Sequence, residues 1–162
     1  MSANLSKLPL RPSLLHIICG WLGSILAIGV IASIGSAAPA TLVLGSFGAS
    51  CVLVFGFPDL PFSQPRNVFI GHVLSSVVGV ATLLVLGPGP FAMALATATA
   101  VAVMMALNCV HPPAGSNPII IFLAYAGWEF VLFPTAIGAT LLLVVALVFN
   151  NIGAGRRYPQ YW

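Results

Sequence analysis

Asn108-Cys109-Val110-His111-Pro112-Pro113-Ala114-Gly115-Ser116-Asn117-Pro118 is a polar, proline-rich stretch set in a chain that is otherwise almost entirely apolar. Proline lacks a backbone N–H and pushes the residue before it out of the helical region. A helix arriving at Val110 therefore cannot run on regularly through Pro112 and Pro113. In water such a break would be an ordinary loop. In hydrocarbon the freed backbone groups must be buried against protein or line a wet cavity, so this break is the first place to look for function.

The remainder of the chain places that break in a membrane. Hydrophobic residues make up 60% of 162 positions, against five basic and two acidic side chains, and the mean hydropathy is +1.12. No water-soluble surface tolerates this composition. The formal net charge of +3 does not indicate nucleic acid, because the basic residues sit at the termini and in one loop rather than on one face. They read as topology signals. An apolar helix crosses the bilayer core in about 20 residues, and the pattern predicts spans over 14–35, 40–57, 67–87 and 91–110. A short apolar piece, 119–126, and a last span, 130–149, follow the break. Ser36-Ala37-Ala38-Pro39, Pro58-Asp59-Leu60-Pro61 and Gly87-Pro88-Gly89-Pro90 supply the turns.

The short piece decides the topology. If Pro112 to Ala126 crosses, there are six crossings, and Lys7, Arg11, Arg66, Arg156 and Arg157 fall on one side, as the positive-inside tendency requires. The expectation is therefore an all-α, polytopic bundle of about six crossings, with one short or broken helix at the His-Pro-Pro motif and both termini cytoplasmic. A bacterial inner (plasma) membrane is the expected location. Lys7 and Arg11 before an apolar stretch mimic a signal peptide, but the stretch exceeds the roughly 7–15 residues of a secretory h-region. Residues 1–162 read as a single transmembrane domain.

Cys19, Cys51 and Cys109 are far apart and odd in number, which suggests neither a disulfide framework nor a metal site. No cofactor is expected. Small residues recur at helical spacing: Gly71 with Ser75 and Gly79, Gly45 with Ala49, Ser46 with Ser50, and many alanines between Phe91 and Ala106. Such positions let helices approach closely where lipid supplies no hydrophobic drive. Tight packing within the chain is the simpler reading, and the same faces leave a homo-oligomer open.

Gln64-Pro65-Arg66-Asn67, then Gly71-His72, then His111-Pro112-Pro113-Ala114-Gly115 together resemble the HPP family of small integral membrane proteins, and the resemblance extends over essentially the whole chain. It implies a membrane fold usually described with four transmembrane helices, fewer than the six read from the chain. It also implies nitrite transport, reported for plastid and cyanobacterial relatives.

The residues themselves are compatible with an anion site. A new helix is expected to start near Gly115-Ser116-Asn117-Pro118, with Ser116 or Asn117 as cap and Pro118 in the first turn. Its free N–H groups and positive dipole end would attract an anion without any fixed cation. Asn108 would add an amide donor. His111, as imidazolium, would neutralise the anion or carry a co-transported proton. Equally, a neutral His111 would brace backbone groups left open by Pro112 and Pro113. Arg66 precedes the third span and Asn67 opens it, and Arg66 either gathers anions or serves as a topology anchor or partner of Asp59. His72, with Ser75 and Ser76, either lines a pore or makes interhelical hydrogen bonds. His16 reads as interfacial.

Three classes of function follow. A transporter or channel for a small inorganic anion explains both the broken helix and the scarcity of charge. A membrane binding or assembly subunit without transport is the alternative. An enzyme is not expected, because the two acids, Asp59 and Glu129, fall at predicted membrane edges and no nucleophile or metal cluster is visible.

Overall fold

A computed structural model describes residues 11–36, 43–152 and 157–162. Every regular element among them is helical. Helix α1 is Leu14–Ser36, α2 Gly45–Gly56, α3 Pro65–Leu86 and α4 Pro90–Ala106. A 3₁₀ turn, Pro112–Ser116, leads into α5, Asn117–Ala124, and a wide turn, Val131–Ala136, leads into α6, Ile137–Phe149. Three runs are long and apolar enough to cross a bilayer: Leu14–Ser36, Pro65–Leu86 and Val131–Phe149. The others are shorter; α2, with 12 residues, is about 18 Å long. The expected turn over 36–39, the first residues of the second span, and Lys7 and Arg156 lie wholly or partly outside the described residues.

Proline and glycine punctuate these helices for local reasons. Pro65 and Pro90 open α3 and α4 at the first turn, where a missing N–H costs nothing. Gly87, at φ 72°, closes α3 in a conformation that favours glycine. Helix α3 is the hub, packed against α4, α5, the 3₁₀ turn and both parts of the last run. Its small-residue stripe faces the broken segment. A Cβ built on Gly71 would lie 2.9 Å from the His111 Cβ, and one on Gly79 would lie 2.9 Å from the Pro118 Cα and the Ile121 Cδ1. Between them Ser75 Oγ donates to the Ala114 carbonyl at 2.6 Å. Residues 111–121 thus run alongside α3 in the same direction, and the Gly71, Ser75 and Gly79 stripe is used for packing within the chain. Ala92, Ala96, Ala100 and Met104 form the matching buried stripe of α4.

Successive runs alternate in direction. One end of the bundle gathers Gly56, the Phe57–Gln64 loop, Arg66, Leu107, Asn108 and Asn150. His16 bonds the Gly56 carbonyl, Arg66 the carbonyls of Leu107 and Asn108, and Asn150 that of Val54. The C-terminal residues fold onto the same end. Tyr158 Oη donates to the Ser63 carbonyl at 2.7 Å, and the Gln160 N–H donates to Gln64 Oε1 at 2.8 Å. Burial pushes the Tyr158 hydroxyl pKa up, which keeps it protonated and donating. Arg11, Arg66 and Arg157, the described basic residues, therefore share one end.

Two expectations are revised, at the end of α4 and in the last span. Helix α4 ends at Ala106, four residues short of Val110, because Asn108 takes a left-handed conformation (φ 50°) that asparagine tolerates. The prolines thus follow the end of α4 rather than cause it. The expected restart is found: a 3₁₀ turn over Pro112–Ser116 leads into α5 at Asn117, with Ser116 at the cap position and Pro118 in the first turn. The last span is itself interrupted: Phe133 is extended (φ −119°, ψ 119°) immediately before Pro134, as the steric demand of a following proline dictates.

Candidate functional site

The broken segment after α4 and the interruption at Pro134 both meet α3 at a buried polar cluster inside an apolar bundle, where Asn117 and Thr135 each bond Ser76. Ser50, His72, Ser75, Ser76, His111, Asn117 and Thr135 are all fully buried, at 0% exposure. Helix α2 contributes Ser50 because its buried positions, Ser46, Phe47, Ser50, Cys51, Val54 and Phe55, form one helical stripe turned to the bundle interior, where Phe47 and Ser50 meet His72. Helix α3 contributes His72 and Ser76, one turn apart. The two imidazoles lie 5.0 Å apart between ring centroids, and Phe47 packs edge-on against His72 at 5.2 Å.

One hydroxyl joins the two rings. Ser50 Oγ is 3.0 Å from His72 Nε2 and 2.8 Å from His111 Nε2, and 3.0 Å from the Ser46 carbonyl. His111 Nδ1 is 2.6 Å from the Phe62 carbonyl. Asn117 Nδ2 is 3.2 Å from His72 Nδ1, 3.3 Å from the His72 carbonyl and 3.0 Å from Ser76 Oγ. Ser76 Oγ and Thr135 Oγ1 are 2.9 Å apart.

Donor and acceptor rules determine the protons. The Phe62 carbonyl can only accept, so His111 Nδ1 carries a hydrogen. In a neutral ring Nε2 is then an acceptor and takes the Ser50 O–H. Ser50 Oγ accepts from His72 Nε2–H, and His72 Nδ1 accepts from Asn117. In this neutral arrangement the Ser46 carbonyl receives nothing from Ser50. If His111 instead carries both protons, its Nε2–H and that of His72 both donate to Ser50 Oγ, and the Ser50 O–H turns to the Ser46 carbonyl. Every contact of the Ser50 hydroxyl is then made at once. The cluster accommodates one extra proton on His111 without moving a side chain.

The residues expected to serve the site divide clearly. His111, His72 and Asn117 meet in the cluster. Pro112 and Pro113 open the 3₁₀ turn, of which Gly115 and Ser116 are also part. Part of the array of free N–H groups expected at Gly115-Ser116-Asn117-Pro118 is taken up. Ser116 Oγ turns back to the Pro113 carbonyl at 2.8 Å and caps nothing. The Ala114 N–H goes to the His111 carbonyl, that of Asn117 to the Ala114 carbonyl, and Pro112, Pro113 and Pro118 have none. Asn108 is exposed, and its carbonyl accepts from Arg66; its backbone ends α4. Arg66 holds the end of α4 through two carbonyls rather than pairing with Asp59, whose Oδ1 accepts from Gln160 at 3.1 Å. Asn67 Nδ2 donates to the Val110 carbonyl at 3.0 Å, pinning the residue before His111.

Ser50 and Thr135 were not singled out for chemistry by the sequence. Ser50 reads there as one of a pair of small packing residues with Ser46, and Thr135 lies in an apolar run. Pro134 was the available signal for the second interruption. Buried acceptors without a partner are Ser46 Oγ, Asn67 Oδ1 and Asn117 Oδ1, all in or beside the cluster, and Asn150 Oδ1 at the bundle end.

The fold and cluster define a helical integral membrane protein with a polar centre at paired helix breaks. The family model for the HPP transmembrane region matches residues 9–159, and the chain belongs to that family. Similar proteins include two from Dictyostelium discoideum, each named only as a transmembrane protein. One is 38% identical over 96% of this chain and 59% of its own length. The other is 34% identical over 96% of this chain and 54% of its own length. The chain thus spans a little over half the length of these relatives. No solved structure matches it.

Proposed function

We propose that the protein carries a small inorganic anion, nitrite foremost, across a membrane past the His111-Pro112-Pro113 break. The observation that carries this reading is the hydrogen-bond network around His111, which closes when the ring is cationic. An unpaired charge in a low-dielectric interior is costly. The described carboxylates lie away from the cluster: Asp59 bonds Gln160 and Glu129 bonds the Gly127 N–H of its own turn. The natural counter-charge is a mobile anion. The resemblance to family members that transport nitrite supports the choice of substrate, and the clustering of Arg11, Arg66 and Arg157 supports a cytoplasmic placement of that end in a bacterial inner membrane.

Purified protein in liposomes tests the reading. Nitrite flux should be saturable, should need no other protein, and should rise as pH falls, since protonation of His111 provides the counter-charge. The alternative, a membrane assembly subunit, draws on the fact that each ring nitrogen of His72 and His111 already has a partner, as bracing side chains would. It predicts no flux for nitrite, nitrate, formate or chloride, and that result would overturn the transport reading.

A further inference from the structure

Ser50 occupies a position that neither packing nor anion binding requires. Among the described residues its hydroxyl is the one hydrogen-bonding group shared by two buried imidazoles on different elements, 22 and 61 residues away in the chain. It also has a third partner, the Ser46 carbonyl, to which it can turn. A serine needed only for close helix approach would be served equally by alanine.

We propose that Ser50 passes a single proton between His72 and His111, so that one positive charge can shift from ring to ring beside the break as an anion goes by. This rests on the transport reading above and supplies the route by which its proton moves. The transfer balances. His72 with protons on both nitrogens gives its Nε2 proton to Ser50 Oγ while Ser50 gives its own proton to His111 Nε2. His72 is left neutral with hydrogen on Nδ1, His111 becomes the cation, and Ser50 remains a hydroxyl. No bond to carbon changes and no oxidant or reductant takes part. A His72 carrying Nδ1–H needs an acceptor where Asn117 Nδ2 now donates. Asn117 Oδ1, buried and without a partner, becomes that acceptor when the amide rotates.

The surroundings leave the charge to these two rings. Helix α2 presents Ser46 and Ser50, α3 presents His72, Ser75 and Ser76, the break presents Cys109 and His111, α5 presents Asn117, and the last run presents Thr135. Arg66, on α3 before His72, holds the Leu107 and Asn108 carbonyls at the bundle end. Among the described residues no carboxylate bonds either ring.

The test uses the full chain in liposomes carrying an internal pH dye, with nitrite as the probe, alongside histidine ¹⁵N NMR of the same protein. Ser50→Ala should lower nitrite-linked proton movement by about a hundredfold, the low end for one positioned proton-transfer group, measured per folded protein because two buried ring nitrogens lose their partner and stability falls modestly. Ser50→Thr, which keeps the hydroxyl, should restore it. In the unsubstituted protein, acidification should shift both rings in one joint step, from Nδ1–H at His111 and Nε2–H at His72, and in Ser50→Ala in two separate steps. Unchanged proton coupling in Ser50→Ala, or independent titration of the rings in the parent protein, overturns the proposal. If the parent protein moves no nitrite, the transport reading falls, and the NMR result alone still decides whether Ser50 joins the rings. Should Ser50→Ala fail to fold, the parent spectra and Ser50→Thr decide it.

Discussion

At the scale of single residues, the properties of His111 follow from which atoms face it. Nδ1 meets a carbonyl and Nε2 meets a hydroxyl that can either donate or accept, so the ring is held in place whether neutral or cationic. Glutamine has a donor and an acceptor but cannot titrate, and its one amide cannot reproduce both contacts. His111→Gln should lose the rise of nitrite flux towards low pH, measured in liposomes between about pH 5 and 8. It should also lose about 1 kcal/mol of stability for the contact not recovered. Full flux with an unchanged pH profile would leave His111 no role beyond bracing. The two histidines were legible in the sequence, since an ionisable residue inside an apolar run stands out. Ser50 was not, because a helical serine looks the same whether it packs, bonds its own backbone or bonds across helices.

At the scale of elements, the decisive contact is the seating of the broken segment against α3. Any side chain at Gly79 meets the Cα of Pro118 at 2.9 Å, a backbone atom in a proline-led first turn that has little room to retreat. Gly79→Ala should therefore cost about 1–3 kcal/mol in thermal unfolding in detergent and displace Asn117, one residue before Pro118, from His72. Gly45→Ala is the control, since nothing lies within 4 Å of a Cβ there, and it should stay within about 0.5 kcal/mol of the parent. Equal effects of the two substitutions would show that the α3 stripe is not closely packed. The ends of α4 and the last run show how element reading went astray. Pro112 and Pro113 drew the break to themselves, whereas Asn108, with Arg66 on its carbonyl and on that of Leu107, ends the helix earlier. Pro134 was hidden inside an apolar run long enough to pass for one uninterrupted span.

At the scale of the whole molecule, Arg11, Arg66 and Arg157 share the bundle end onto which Tyr158 and Gln160 fold. In a background without Cys19, Cys51 and Cys109, single cysteines introduced next to Arg11, Arg66 and Arg157 should all be labelled by an impermeant thiol reagent from the cytoplasmic side. Labelling of the Arg11 and Arg157 positions from opposite sides would require an odd number of crossings and would contradict this arrangement. The sequence by itself determined the membrane class, the approximate spans, the place of the break and the position of His72 and His111 as ionisable residues within apolar surroundings. Apolar length and proline's missing N–H act locally, so they can be read from neighbouring residues. Only the tertiary structure decided that Ser50 joins the two rings, that Thr135 meets Ser76, that Asn67 and Arg66 hold the ends of the break, and that the Asn117 N–H is spent on the Ala114 carbonyl. Those pairings connect residues distant in the chain and depend on the register in which α2, α3 and the broken segments lie together. That register is set by close contacts at Gly71 and Gly79, where small side chains permit an approach that the sequence alone does not orient.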